Sequence, residues 1–384
     1  MPASSRTVFA AAHVVADPLA DRRTGAPALL DWDATLAFRH HLWSLGLGVA
    51  DAMDTAQRGM GLDWAATKEL IERSGTEARS VGGLLCCGVG TDQLTTAPDA
   101  APSSLSAIGD AYEDQLDVVE GVGAQPVIMC SRALAATARS AEDYAAVYDR
   151  LLARAQQPVI LHWLGDMFDP ALRGYWGSAD LDEATDAVLG IIRTHTAKID
   201  GIKVSLLEAD REVALRRALP EGVRLYTGDD FNFPELIAGD EHGFSHALLG
   251  VFDPLAVQAA EALSRLDQGD VPGFRAVLDP LVPLARHIFA APTQFYKTGV
   301  VFLAYLSGHQ EHFRMVGGLE SARDAAHLRQ LFALADEGRI FPDPECARRR
   351  FASLGIAAAC DLEPVDLSGI GGNGEIKKSE GTDR

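Results

Sequence analysis

The sequence predicts an α/β fold, a (β/α)8 TIM barrel of parallel strands with a helical C-terminal extension. Three observations predict it. Eight short apolar runs recur between residues 8 and 249. A polar turn and then a segment of helical periodicity follow most of them. Beyond Pro254 the pattern is helical only. Strands alternating with helices favour a closed parallel barrel over a doubly wound sheet when the alternation is this long.

The first strand is expected over Val8–Val15, and a helix capped by Asp31 or Asp33 continues through Leu36, Phe38 and Leu42. A second strand, Gly46–Met53, runs into the loop Asp54-Thr55-Ala56-Gln57, followed by Gly59, Gly61 and a helix from Asp63 to Arg73. The third strand, Val81–Cys87, ends in Gly88-Val89-Gly90-Thr91-Asp92. The next helix, about Ser104–Glu120, places Ile108, Tyr112, Leu116 and Val119 at helical spacing. Gln125–Cys130 makes the fourth strand and Ala141–Ala155 its helix, with Ser140 as the cap. Pro158–His162 is the fifth. The loop after it, Trp163–Ser178, is long and aromatic, which suits either a lid or a surface loop packed on itself.

A helix over Leu181–Lys198 leads to the sixth strand, Asp200–Ser205, and another over Glu208–Leu219 leaves it. Gly222–Thr227 is the seventh, ending in Gly228-Asp229-Asp230, and Gly243–Leu249 the eighth. Helices are expected near 254–268, 271–291, 296–308 and 320–338. Residues 1–268 thus form the barrel and 269–366 a helical extension packed on it. Residues 367–384, rich in Gly, Lys and Glu without periodicity, form a loose tail.

Composition limits the partners. Thirty-four Lys and Arg against 54 Asp and Glu give a net charge of −20, which repels nucleic acid and anionic membranes. The five cysteines, Cys86, Cys87, Cys130, Cys346 and Cys360, form no CxxC pair and read as reduced thiols of a cytoplasmic protein. The apolar stretch Thr7–Ala16 is too short to span a bilayer and lacks the basic start of a signal peptide.

The sixth strand carries the sharpest chemical signal. Alternation sends Ile202, Val204 and Leu206 outward to helices, and Gly201, Lys203 and Ser205 into the barrel. An ammonium taken out of water loses hydration, so its pKa falls and free amine becomes available to attack a ketone. The competing reading is a lysine snorkelling from a strand end to solvent.

Polar residues at the other strand ends are expected to converge on the same mouth. They are His13, Asp54 with Thr55, Thr91 with Asp92, Ser131 with Arg132, His162, Tyr226 with Asp229 and Asp230, and Ser245 with His246. His162 is the first choice as proton shuttle and Tyr226 the reserve. Thr55, Arg132 and Ser205 are candidates to orient polar substrate groups. The remaining histidines, His40, His41, His195, His242, His287, His309, His312 and His327, lie on helices or loops away from the mouth.

The run "GIKVS", followed by "TGDD" on the next strand and "GFSHALLGVFDP" on the eighth, resembles the dihydrodipicolinate synthase and N-acetylneuraminate lyase superfamily. Lys297 and "FRMVGG" around Arg314 sit where that superfamily has C-terminal Lys and Arg elements, and "CCGVGTDQL" resembles its third-strand turn. The resemblance covers roughly residues 7–338. It implies a class I aldolase on a (β/α)8 barrel, with Lys203 forming an imine, no other cofactor, a small carbonyl substrate and a homo-oligomer.

Three departures touch chemistry. The superfamily's Gly-Thr-Thr-Gly-Glu loop, which holds a 2-oxo acid's carboxylate, corresponds to Asp54-Thr55-Ala56-Gln57, where only Thr55 survives. Its proton-relay tyrosine on strand five falls at His162, and an aromatic pair after strand four is replaced by Ser131-Arg132. A divergent branch follows, a Schiff-base lyase or dehydratase acting on a 2-oxo acid or keto-sugar derivative. Two alternatives remain at this stage. One is a divalent-metal isomerase or lyase using Asp229, Asp230, His246, His162 and Glu208. The other is a catalytically silent oligomer of the same fold.

Overall fold

A computed structural model describes residues 5–21, 23, 25–94 and 103–356. The expected tail, and the end of the expected extension, lie outside the described residues. Eight parallel strands close a barrel in sequential order: β1 (Val8–Ala11), β2 (Gly48–Asp51), β3 (Leu85–Val89), β4 (Gln125–Ile128), β5 (Val159–Leu164), β6 (Ile199–Ser205), β7 (Arg224–Thr227) and β8 (His246–Leu249). The expected (β/α)8 barrel with a helical C-terminal part is therefore what forms.

The strands are apolar on both faces because both are covered, as parallel sheets require. Phe9, Ala11, Ala50, Cys86, Val127, Ile160, Tyr226 and Leu248 fill the interior. Val8, Ala10, Val49, Cys87, Leu161, Ile202, Val204 and Leu225 face the helices. Side chains thus plug the barrel, which leaves only its ends for polar work.

Several boundaries move for local reasons. The helix after β2 runs over Trp64–Val81, past Arg73, and stops where Gly82 takes a left-handed φ of 66°; Val81 belongs to it rather than to β3. Asp31, Asp63 and Ser104 each accept a helix-capping N–H, whereas Ser140 occupies its cap position without bonding the backbone. β8 begins at His246 rather than Gly243, since Asp240 and Gly243 first pair in a turn. The helix expected over 271–291 breaks into Val271–Leu278, a single turn at Asp279–Leu281 and Val282–Ile288, with Pro280 and Pro283 opening the later pieces. A further helix, Pro344–Ser353, escaped the sequence reading.

The extension is organised round the helix Tyr296–Leu306, every residue of which is buried. It packs against Val282–Ile288, Ala325–Glu337 and Pro344–Ser353, and its first residues reach the barrel mouth. Among the described residues no helix is long and apolar enough to cross a membrane.

One buried ion pair clamps the first helix, Trp32–Ser44, to β2. The Arg39 guanidinium donates to both carboxylate oxygens of Asp51 at 2.8 and 3.1 Å, and Ser74 donates to the same carboxylate at 2.5 Å. Arg39 also donates to the Thr35 carbonyl at 3.0 Å, and both charged side chains are wholly buried. Removing one member of such a pair strands the other without water. Asp51→Ala is expected to cost about 3–5 kcal/mol in urea denaturation. Replacing Arg39 and Asp51 together by apolar residues should cost less than the single change.

Candidate active site

Lys203 lies in the middle of β6, its Cα in register with His162 on β5 and Tyr226 on β7. It points inward as the alternation requires, and only 7% of the residue is exposed. The snorkelling reading is thereby set aside. Space for it comes from glycine: a Cβ on Gly228 would stand 2.7 Å from the Lys203 Cε and 2.2 Å from the Ser205 Oγ.

The chamber round the amine is small, about 10 Å3, and is lined by Asp54, Thr55, Ser205, Asp230 and Tyr296 together with apolar Met53, Leu164 and Phe168. That is about room for one water molecule. Burial draws the Lys203 pKa below its ordinary value, against the opposing attraction of Asp230 and then Asp54. Burial likewise raises the Asp230 carboxyl to about 7, held back by the Val251 N–H it accepts at 2.8 Å and by the charge of Lys203.

Asp54 is held by Lys297, whose ammonium donates to it at 2.8 Å and to the Gln294 carbonyl at 3.1 Å. The hydroxyls of Thr55 and Tyr296 are 2.8 Å apart. Tyr296 and Lys297 open the central helix of the extension, so the extension completes the site.

His162 is fully buried, with Nε2 3.3 Å from the Ser205 hydroxyl and Nδ1 without a hydrogen-bond partner among the described residues. Burial, and then the charge of Lys203, hold its pKa well below the ordinary imidazole value. At neutral pH it is an uncharged ring.

The chamber shares Asp54 and Leu164 with a larger cleft of about 290 Å3 between the ends of β2 to β5. Thr91, Ser131, Arg132 and Asp169 line this cleft. The Thr91 and Ser131 hydroxyls are 2.6 Å apart, and Arg132 donates to Asp169 at 2.5 Å and to the Gly59 carbonyl at 3.1 Å.

Other expected site residues lie elsewhere. Tyr226 points to the amino-terminal floor, donating to Asp200 at 2.6 Å, because the missing side chain of Gly201 leaves its ring room there. Burial and the Asp200 charge push its pKa far up, and it is no reserve shuttle for Lys203. His246 opens β8, so it too sits at the floor, its Nδ1 accepting the Thr7 N–H at 2.8 Å. Ser245 lies outside the barrel and donates to Glu212 at 2.8 Å. Asp229 accepts the N–H groups of Phe231 and Asn232 and serves as a local cap. His13 is buried against Asp253 at 2.7 Å, outside the residues that line the chamber.

The aromatic loop after β5 is packed rather than lid-like. Tyr175 and Trp176 pack edge-on or tilted against Tyr144 and Tyr148, while Phe168 meets Phe289 and Tyr296 to form a wall of the chamber. The metal ligands considered from sequence do not gather, since Glu208 pairs with Arg211 on the surface, Asp229 is a cap and His246 is at the floor. Among the described residues no three His, Cys, Asp or Glu side chains are placed to hold a metal ion.

Two contributors escaped the sequence reading. Tyr296 was passed over although Lys297 beside it was noticed. Arg58 props the cleft from below, donating to Asp92, Gln115 and the carbonyls of Ala52 and Gly88.

This geometry defines the class: a barrel of the dihydrodipicolinate synthase fold with a dehydrated lysine at its mouth. The structure superposes on dihydrodipicolinate synthase from Aquifex aeolicus with a TM-score of 0.66 at 12% identity, covering 88% of this chain and 99% of that one. For the Thermotoga maritima enzyme the values are 0.64, 14%, 87% and 99%. For the Bacteroides thetaiotaomicron enzyme they are 0.64, 12%, 88% and 100%. In sequence the chain belongs to the family described as protein of unknown function DUF993, which it matches over residues 1–358. No curated protein matches it in sequence. A DUF993 chain thus shares this fold with enzymes to which it is only 12–14% identical.

Gly228→Ala is expected to leave the barrel folded, by circular dichroism, while displacing the Lys203 side chain. Labelling of Lys203 by reductive trapping with a carbonyl compound should then fall at least about tenfold, since an ångström-scale misplacement costs that or more.

Proposed function

We propose that the protein is a class I lyase that binds a small carbonyl substrate as an imine on Lys203 and breaks or forms a bond next to it. What supports this reading above all is the position of Lys203: buried, at the carboxyl end of the barrel, with its pKa drawn down.

The neutral amine adds to the carbonyl carbon to give a carbinolamine. Loss of water leaves an iminium, whose nitrogen takes up the electron pair of the bond that breaks. In aldol cleavage that bond is C–C, the β-hydroxyl loses its proton, and an aldehyde and an enamine result. In dehydration that bond is the α C–H, whose proton passes to a base; the enamine so formed then expels the β-hydroxyl, protonated, as water and leaves a conjugated iminium. Protonation of the enamine carbon and hydrolysis of the imine then return the lysine. Each path needs a group that accepts and returns one proton.

Asp230 is the best placed acid and base. It shares the chamber with Lys203, and a carboxyl near pKa 7 exchanges a proton readily at neutral pH. The Thr55 and Tyr296 hydroxyls are a second route for the same proton. His162, neutral and bonded to Ser205, orients the Ser205 hydroxyl beside the amine.

Borohydride reduction with a panel of carbonyl compounds is expected to fix the reactive compound on Lys203 as a secondary amine, read by intact mass and peptide mapping. Lys203→Ala should abolish this adduct, and an unlabelled wild-type chain across the panel would refute the reading. Because the folded pKa is lowered, the free-amine fraction rises with pH through a midpoint below the ordinary 10.5, and the trapping rate should follow it. Asp230→Asn should keep the adduct while lowering turnover of the labelling compound by about 10² or more.

A further inference from the structure

We infer that the substrate is a neutral, polyhydroxylated ketone, a ketose or keto-polyol, rather than a 2-oxo acid. The inference rests on the Schiff-base reading of Lys203 and concerns what the walls round it can recognise.

A 2-oxo acid places a carboxylate directly beside the carbon that the amine attacks. Here that space is bordered by the carboxyl groups of Asp54 and Asp230. The loop after β2 has no cationic side chain and little side-chain donor capacity left to offer a carboxylate. Thr55 and Tyr296 share one hydrogen bond, which leaves a single O–H of the pair to donate, Ala56 has none, and the Gln57 amide donates to the carbonyls of Met60 at 3.2 Å and Val316 at 2.9 Å. The nearby cation, Lys297, is taken up by Asp54. A third carboxylate in so dry a space would meet repulsion and lose hydration without replacement.

The cleft beyond is charged but balanced. Arg58 has each of its five N–H groups engaged, by Asp92, Gln115 and two carbonyls. Arg132 is matched by Asp169. An anionic tail would find no cation there without a carboxylate already beside it. The hydroxyls of Thr91 and Ser131 and the pair of a partly exposed Arg132 with a mostly buried Asp169 offer donors and acceptors side by side. Alcohol groups, which both donate and accept, match such a lining. The narrow chamber then takes the carbonyl, and the roughly 290 Å3 cleft takes the hydroxylated chain.

The test uses the full chain with borohydride and two sets of probes at equal concentration: pyruvate and 2-oxobutyrate against dihydroxyacetone, erythrulose and fructose. Label on Lys203 is read by peptide mapping, with surface lysines of the Lys203→Ala chain as background for each compound's intrinsic reactivity. The expected result is at least tenfold more Lys203 label from the neutral ketones. Arg132→Gln should lower labelling by fructose several-fold while sparing dihydroxyacetone, which is too short to reach the cleft. Asp54→Asn, which removes one carboxylate and releases Lys297, should raise labelling by pyruvate. Equal or greater labelling by pyruvate would overturn this inference and leave the imine reading standing. Failure of every compound to label Lys203 would overturn both.

Discussion

The site depends on keeping one amino group out of water at the mouth of the barrel. A lone ammonium in such a place would cost several kcal/mol in lost hydration. The protein offsets part of that cost with two carboxylates and lets the rest appear as a lowered pKa. The balance is narrow. Stronger pairing would hold the lysine charged and unreactive, and weaker pairing would leave a neutral amine with no neighbour to move its protons. Asp54 is restrained by Lys297, and burial raises the pKa of Asp230, so neither carboxyl is given over wholly to the lysine.

The rest of the architecture serves this balance. Gly228 removes the atom that would collide with the lysine chain, and Leu164, Phe168 and Met53 limit water. The C-terminal helices do more than cover the barrel. The buried helix Tyr296–Leu306 delivers a phenol and a second lysine from its first turn, and both meet residues of the loop after β2. That helix is anchored along its whole length, so the phenol and the lysine are held on a rigid element.

Strand order, the inward face of β6 and the helical extension were legible in the sequence because each rests on local periodicity. Lys203, Ser205, Thr55, Asp54 and Asp230 come together round one chamber, with His162 bonded to Ser205, because a barrel gathers strand ends whatever their separation in the chain. The errors at Tyr226, Ser245 and His246 have a different cause. Alternation tells which face a side chain leaves from, but not whether it then leans toward the mouth or the floor. For Tyr226 that choice is made by the gap above Gly201 and by Asp200. For Ser245 and His246 it is made by a strand that begins three residues late. Tyr296 was not legible at all, since its partner Thr55 is distant in sequence and no periodicity links an extension helix to a barrel loop.

The misplaced residues explain something about the barrel's other end. Tyr226, Asp200 and Arg224 form a hydrogen-bonded group, with the Arg224 guanidinium donating to Asp200 at 2.7 Å, and His246 packs beside Tyr226. Between this group and Lys203 lies the inner layer of Phe9, Cys86, Val127, Ile160 and Leu248. Polar chemistry at the floor is thus sealed from polar chemistry at the mouth by apolar packing. Among the described residues, the cleft above β2 to β5 adjoins the chamber of the amine at Asp54 and Leu164. A barrel plugged in this way can exchange its mouth residues without disturbing the floor that holds its strands together. The departures from the dihydrodipicolinate synthase pattern fall at that mouth, at Asp54, Ala56, Gln57, Arg132 and His162.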